Sequence, residues 1–230
     1  MDWTGRHVVV TGGTGALGTA VVGALLQAGA QCHVPFIEAR VDAHFEHAHD
    51  RNVTLYGGID LADEMQVEKF YTALPALWAS IHLAGGFAMA RIAETSKADL
   101  MQQIDMNLMS CFLCAREAVK RMTGGGRIVN VAARPALEPR SGAGMTAYTV
   151  SKAGVAALTA ALAEEVAAQN ILVNAVAPSI MDTPANRQAM PKADYAKWPK
   201  VEEVAATILF LASPENKVTR GAVVPVYGRS

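Results

Sequence analysis

Tyr148 and Lys152 stand four residues apart in the stretch Thr146-Ala147-Tyr148-Thr149-Val150-Ser151-Lys152-Ala153-Gly154. On a helix that spacing places both side chains on one face, so a phenol and an ammonium can share one site. An ammonium beside a phenol favours the phenolate, which lowers the phenol pKa and eases transfer of its proton near neutral pH. The pair is a candidate proton donor. Tyr and Lys at this spacing also decorate plain solvated helix faces, so the reading depends on the rest of the chain.

A second set of residues supplies that context. Residues 6–10, Arg6-His7-Val8-Val9-Val10, form a short β-branched run ending in Thr11-Gly12-Gly13-Thr14-Gly15-Ala16-Leu17-Gly18, and residues 19–28 read as a helix. A strand, a glycine turn and a helix N-terminus hold a pyrophosphate, because free N–H groups and the helix dipole both face the anion. Residues 31–35 read as the next strand. An acid just beyond it would accept from the adenosine ribose hydroxyls, and an arginine would favour an additional phosphate. Phe36 occupies the expected acid position, with Glu38 and Arg40 nearby. NAD and NADP both remain open, with Glu38 and the absence of a basic residue in the glycine turn favouring NAD.

Further candidates follow in chain order. Asp60-Leu61 comes after a strand at residues 53–57, where the carboxylate could accept from an adenine amino group or cap a helix starting near Ala62. A strand at residues 80–84 ends at Ala84 and runs into Gly85-Gly86, small residues that let backbone approach a ligand. Asn107 lies among apolar neighbours in a helical pattern over residues 99–120 and needs a polar partner.

The elements that must position these groups alternate strand and helix. A strand at 127–131 leads through a loop containing Pro135, Pro139, Ser141, Gly142 and Gly144 to the Tyr148 helix. That helix is Ala-rich with few charges over 148–162, as expected of one packed on the sheet and on another helix, including one from a second subunit. A strand at 171–177, a Pro-broken segment at 179–200, a helix at 201–211 and a strand at 222–226 complete the chain. The broken segment reads as a lid over substrate. The alternation predicts a single α/β domain over residues 1–230, a Rossmann-like doubly wound parallel sheet with helices on both faces.

Composition narrows the partners. A formal net charge of -1 over 230 residues gives no broad electrostatic reason to bind nucleic acid or an acidic membrane, so a small molecule is the expected partner. A strand so close to Met1 leaves no room for a signal peptide, and no apolar run approaches transmembrane length, so a cytoplasmic location is expected. Cys111 and Cys114 form a C-x-x-C inside an apolar helical run, which reads as two small packed residues rather than a redox or metal pair. His44, His47 and His49, interleaved with Asp42, Glu46 and Asp50, read as a solvated loop, and no metal is expected.

Taken together, these motifs resemble the short-chain dehydrogenase/reductase family along nearly the whole chain. The matching pieces are Thr11-Gly12 through Gly18, Asp60-Leu61, Ala84-Gly85, Asn107, Tyr148-x-x-x-Lys152, and Asn174-Ala175-Val176-Ala177-Pro178 followed by Thr183-Pro184. The resemblance implies an NAD(P)-dependent oxidoreductase, and the Ala-rich helix over 148–162 suggests a homodimer or homotetramer. The resemblance makes Tyr148 the proton donor, Lys152 the holder of the nicotinamide ribose and Asn107 the support of a water chain. Thr183 would grip the carboxamide, while Pro178 and Ser179 would lie against the cofactor.

Four positions depart from the family pattern. Ala16 stands at the middle glycine, Leu83 where Asn often precedes Ala-Gly, Ser179 where Gly usually follows Pro178, and Ala133 where a serine is expected after the fifth strand. That serine normally donates to the substrate carbonyl, and loss of one such donor costs about 2.7 to 4 kcal/mol of transition-state stabilisation. Within the family the chain looks closer to the quinoid dihydropteridine reductase branch, on Gly12-Gly13-x-Gly15-Ala16-Leu17-Gly18, Ala84-Gly85-Gly86-Phe87, the alanines around Arg134, Gly144-Met145, and the segment from Asp182 through Arg187 to Tyr195 and Trp198. The expected reaction is hydride transfer to an electron-poor C=N or C=O, such as a quinonoid dihydropterin, which needs less help from an oxyanion donor. Two alternatives stand beside it: a carbonyl reductase or alcohol dehydrogenase in which Ser141 or Thr146 replaces the missing serine, and a non-catalytic dinucleotide-binding sensor.

Overall fold

The computed structural model describes residues 1–40 and 45–230. Seven parallel strands form one sheet in the order β3-β2-β1-β4-β5-β6-β7: β1 (His7–Thr11), β2 (Gln31–Pro35), β3 (Val53–Tyr56), β4 (Ala79–His82), β5 (Gly126–Val131), β6 (Ile171–Pro178) and β7 (Val223–Val226). The order reverses direction at β1, where β4 rather than β3 becomes the next neighbour on the far side. That reversal opens a crevice at the carboxyl ends of the strands, where ligands of such sheets bind.

Strand alternation divides the core between the two faces. Val8 and Val10 pack with Val21, Leu25 and Ile208, while Val9 between them packs with Val67, Phe70 and Leu113 on the opposite face. The first cluster lies under α1 (Ala16–Gln27) and α8 (Val201–Ala212). The second lies under α2 (Glu64–Thr72), α4 (Ser110–Arg121) and α6 (Thr146–Glu165). Both faces of the inner strands are therefore covered, and each fully buried Val or Ile contributes roughly 1.5 to 3 kcal/mol.

The helical pattern around Asn107 is not one continuous α-helix. α3 (Lys97–Gln103) passes through a π-helical turn, Ile104–Met109, before α4 begins. Asp60 does not cap the helix that follows it. Asp63 does, accepting from the Gln66 backbone N–H, while Asp60 Oδ1 accepts from the Ala62 N–H at 2.9 Å. The segment expected as a lid contains α7 (Pro184–Ala189) and a 3-10 turn, Tyr195–Lys197. The short helix α5 (Arg134–Leu137) follows β5 directly. Cys111 and Cys114 are buried and free on α4, as the packed reading requires. Burial pushes the Cys111 thiol up to about 12 and the Cys114 thiol higher still, which removes both from thiolate chemistry at neutral pH. No helix among the described residues is long and apolar enough to cross a membrane.

A polar seam crosses this core. His82 Nδ1 lies 2.8 Å from Asn130 Oδ1, an acceptor, so that nitrogen carries the proton and Nε2 accepts from Ser80 Oγ at 2.9 Å. Ser80 in turn lies 2.9 Å from the Tyr71 hydroxyl, and Asn130 Nδ2 donates to Thr159 Oγ1 at 2.9 Å. The arrangement suits a neutral imidazole, and burial lowers the His82 pKa to about 4. His33, stacked on His7 and bonded to Tyr56, is also lowered to about 4, first by burial and then by the His7 charge.

These two histidines set a pH dependence of stability. The unfolded chain takes up protons on them as pH falls below about 6.5, whereas the folded state does so only near pH 4. Stability is complete above the upper value and declines through that window, by on the order of 2 kcal/mol per histidine at pH 5. Urea unfolding at pH 7.5 and pH 5 measures it. His82→Gln should be less stable at pH 7.5 yet show a shallower loss on acidification, and a slope equal to that of the unsubstituted protein would contradict the assignment.

Candidate active site

A cleft of about 530 Å³ lies over the carboxyl ends of the strands. Its floor is the turn between β1 and α1, with Gly12 and Thr14, Gly15, Ala16, Leu17 and Gly18 all at its surface. Gly12 has φ +65°, and a Cβ there would come within 2.7 Å of the Ala84 backbone nitrogen, so glycine is what allows the turn to pass against the end of β4. Ala16, the departure from the glycine pattern, is exposed as the first residue of α1 and its methyl meets no obstruction from the fold. Gly15 caps α1 without any side-chain hydrogen bond, and the first turn carries no acidic residue. The N–H groups of that turn are thus available to an anion, which is what a pyrophosphate requires.

The remaining wall is built from strand ends. Phe36 and Glu38 follow β2, Asp60 and Leu61 follow β3, Ala84 and Gly85 follow β4, and Thr183 stands at the N-terminus of α7. Phe36 is buried and Glu38 exposed, so beside β2 it is Glu38 that presents a carboxylate to the cleft. The Ala84 N–H donates to Thr11 Oγ1 at 3.2 Å, tying β4 to the glycine turn. Thr183 Oγ1 accepts from the Asn186 N–H at 3.2 Å and so caps α7 while facing the cleft.

At the inner end of the cleft the polar groups converge. Lys152 is buried, and its Nζ donates to the Val131 carbonyl at 2.9 Å. A Cβ on Gly85 would stand 2.5 Å from Asn107 Oδ1 and 3.3 Å from Lys152 Nζ, so all three meet at one point. Asn107, on the π-helical turn, accepts from the Gly86 N–H at 3.0 Å and donates to the Gly86 carbonyl at 3.1 Å and to Ser151 Oγ at 3.2 Å. Ser151 passes the chain on by donating to the Tyr148 carbonyl at 2.8 Å. The polar partner that Asn107 needs is therefore the backbone after β4 together with the helix that carries Tyr148 and Lys152.

The electrostatics differ from the sequence expectation. Burial pushes the Tyr148 phenol up to about 12, and Lys152 does not lower it. The amine itself is displaced instead, with burial bringing Lys152 down to about 8. Helical spacing puts the ammonium on the same face as the phenol but says nothing of solvent, and in the fold it is desolvated and directed at Val131.

Other candidates fall outside the cleft wall. Tyr148 and Lys152 lie beyond its inner end, and Pro178 and Ser179 do not line it. Ser179 Oγ donates to the Tyr227 carbonyl at 3.0 Å and lies 2.7 Å from Ser230 Oγ, held by the segment after β7. Ala133 is buried as the cap residue of α5 and presents a methyl where a donor is expected. Ser141 is exposed and its hydroxyl proton is used on the Glu138 carbonyl at 2.8 Å, while Thr146 is exposed at the start of α6. Neither lines the cleft. His47 Nε2 lies 3.2 Å from the Thr19 carbonyl, and among the described residues no three metal-ligating side chains form a group. Asp42 and His44 lie outside the described residues.

Some site residues have no motif to announce them. Asp105 and Met106, on the π-helical turn, and Ser110, which follows it, reach the cleft, as do Met181 and Asn186 from the segment at 179–200. Only their adjacency to Asn107 and Thr183 marks them in the sequence.

Comparison with known proteins agrees with this fold. A family profile described as Enoyl-(Acyl carrier protein) reductase matches residues 13–228. Galactitol 2-dehydrogenase from Rhizobium johnstonii is 34% identical over 244 residues, covering 96% of this chain and 93% of the relative. ElxO with NADP bound superposes with a TM-score of 0.86 at 25% identity, covering 97% of each chain. A short-chain type dehydrogenase/reductase from Mycobacterium ulcerans shares the fold at a TM-score of 0.90, with 22% identity and coverage of 100% of this chain and 90% of the other. The chain belongs to the short-chain dehydrogenase/reductase family of NAD(P)-dependent oxidoreductases.

Proposed function

We propose that this oxidoreductase works as a reductase of an electron-poor C=N or C=O group, a quinonoid dihydropterin among its substrates, with Tyr148 giving the proton. The observation that carries this reading is the convergence of Lys152, Asn107 and Gly85 one helical turn along α6 from Tyr148, together with a buried methyl at Ala133, the position where the family pattern has the donor serine. A site that keeps its proton donor but lacks an oxyanion donor favours substrates that are already electrophilic. Simple ketones and polyols need that donor, and the Ser141 hydroxyl that would replace it is already engaged.

When bound, the reduced nicotinamide cofactor supplies the hydride. The α1 N-terminus and its glycine turn would hold the pyrophosphate, and Glu38 and Asp60, which line the same cleft, would meet the adenosine half. Thr183 and Asn186 bring the segment at 179–200 over the opening as a lid. Tyr148, with its pKa raised to about 12, keeps its proton throughout the neutral range, so it enters the reaction in the form a donor requires but as a weaker acid than an exposed phenol. Its proton goes to the substrate nitrogen or oxygen, and Lys152, directed at the Val131 carbonyl beside Gly85 and Asn107, would hold the nicotinamide ribose as a buried cation. Asn107 acts as a positioning residue, fixing Gly86 against α6.

A turnover screen with NADH and NADPH in parallel, covering quinonoid dihydropterin, α-ketoesters and simple ketones, tests the reading. Faster turnover of simple ketones than of the electron-poor substrates would overturn it. Tyr148→Phe should lower kcat by about 10²- to 10⁴-fold with cofactor affinity retained, as read by nucleotide fluorescence, and full turnover would remove Tyr148 from its role. Reductive kcat/KM should fall as pH rises through about 8, because Lys152 loses its charge there, and a profile flat to pH 9.5 would show that no cation is needed. NADH should bind more tightly than NADPH, and Glu38→Ala should narrow the difference by about fivefold through removal of a like charge. A preference unchanged by that substitution would place the selection elsewhere.

A further inference from the structure

The run that leaves β4, Leu83-Ala84-Gly85-Gly86-Phe87-Ala88-Met89-Ala90, contains no polar side chain. Its first residues line the cleft, and the rest continues to Tyr148. Phe87 is 59% exposed, Met89 67% and Ile92 71%, an unusual concentration of bare hydrocarbon within six residues. The Phe87 ring stands at 85° to the Tyr148 ring with centroids 5.0 Å apart, an edge-to-face arrangement that fixes it beside the phenol. The segment is also tied down. Ala90 pairs with Met145 in an isolated bridge, and Met89 Cε would lie 3.3 Å from a Cβ on Gly144, whose φ of +80° shapes the loop before α6.

We infer that the stretch from Phe87 to Met89 is the substrate-selecting wall of this site, and that it takes substrates whose reacting C=O or C=N is conjugated to a flat ring rather than attached to a hydroxylated chain. The inference rests on Tyr148 as the proton donor proposed above. A carbon within reach of that phenol has its neighbouring substituent beside Phe87, where the protein offers a ring and a thioether and no hydrogen-bonding side chain. A flat ring buries its face there, and Met89 adapts to its outline. Hydroxyls in the same place would lose water without gaining partners, which discriminates against polyols.

Two α-ketoesters with the same reacting group separate the wall from the chemistry: ethyl benzoylformate, which carries a phenyl ring, and ethyl pyruvate, which carries a methyl. The ratio of their kcat/KM values should favour the phenyl ester and fall about tenfold in Phe87→Ala, mainly through KM, with Phe87→Tyr restoring it. A ratio that does not change, or an Ala variant that alters sedimentation but not the ratio, would overturn the wall and mark the patch as a subunit contact. Calorimetric binding of ethyl benzoylformate to cofactor-saturated Tyr148→Phe protein reads the wall without turnover. Adding Phe87→Ala should weaken that binding about tenfold, and equal binding would refute the wall even if the reductase reading stands. If the phenyl ester binds through Phe87 but neither ester turns over in the unsubstituted protein, the wall stands and the reductase reading fails.

Discussion

A buried ammonium is the constraint around which the active end of this protein is arranged. Lys152 lies inside, bonded to the Val131 carbonyl, and no carboxylate among the described residues pairs with it. Taking a cation out of water is costly, and the displacement of its pKa to about 8 is the sign of that cost. The fold tolerates it because β5 ends at that carbonyl and because Gly85, lacking a Cβ, leaves the space where Lys152 and Asn107 meet. A site that keeps a costly group without a stabilising partner is poised for a ligand that will supply one, and the dinucleotide cleft opens directly beside it.

The π-helical turn serves the same end. One continuous α-helix from Lys97 to Arg121 would carry Asn107 past the backbone after β4. The wider turn at Ile104–Met109 brings it back, so that one amide makes two bonds to Gly86 and one to Ser151. Such turns are found where a side chain must be reaimed at a functional site. The Asn107 amide therefore couples β4, the interrupted helix and α6, and the distance between the glycine turn and Tyr148 depends on it.

Much of this was legible in the sequence, for reasons that can be named. Val8, Val9 and Val10 announce a strand buried on both faces, and the glycines after them announce a turn that needs positive φ and close approach. Alternating strand and helix patterns lead to a parallel sheet, because only crossovers can join parallel neighbours. What escaped was of two kinds. Helical periodicity cannot distinguish an α-helix from one containing a π turn, since a single extra residue barely disturbs the apolar spacing around Asn107. Charge environments were also illegible: the spacing of Tyr148 and Lys152 gives their shared face, but desolvation is a property of the whole fold, and it raised the phenol instead of lowering it. Asp60 and Asp63 show a smaller version of the same limit, because two acids near a helix start are equal candidates until the backbone fixes which one caps.

The polar seam through His82 and the apolar run after it make opposite use of adjacent positions. His82 is the last residue of β4, held neutral between Ser80 and Asn130, and from Leu83 onward the chain has no polar side chain until Arg91. Hydrogen bonds fix the strand end in direction, so the run beyond it leaves the sheet at a defined point and needs no polar side chains of its own to be positioned. Rigidity below and hydrocarbon above are what a selective wall requires, since an unanchored apolar loop would collapse onto the core. The anchoring of Ala90 to Met145 closes the run at its other end, leaving Phe87 exposed between two fixed points and beside the phenol.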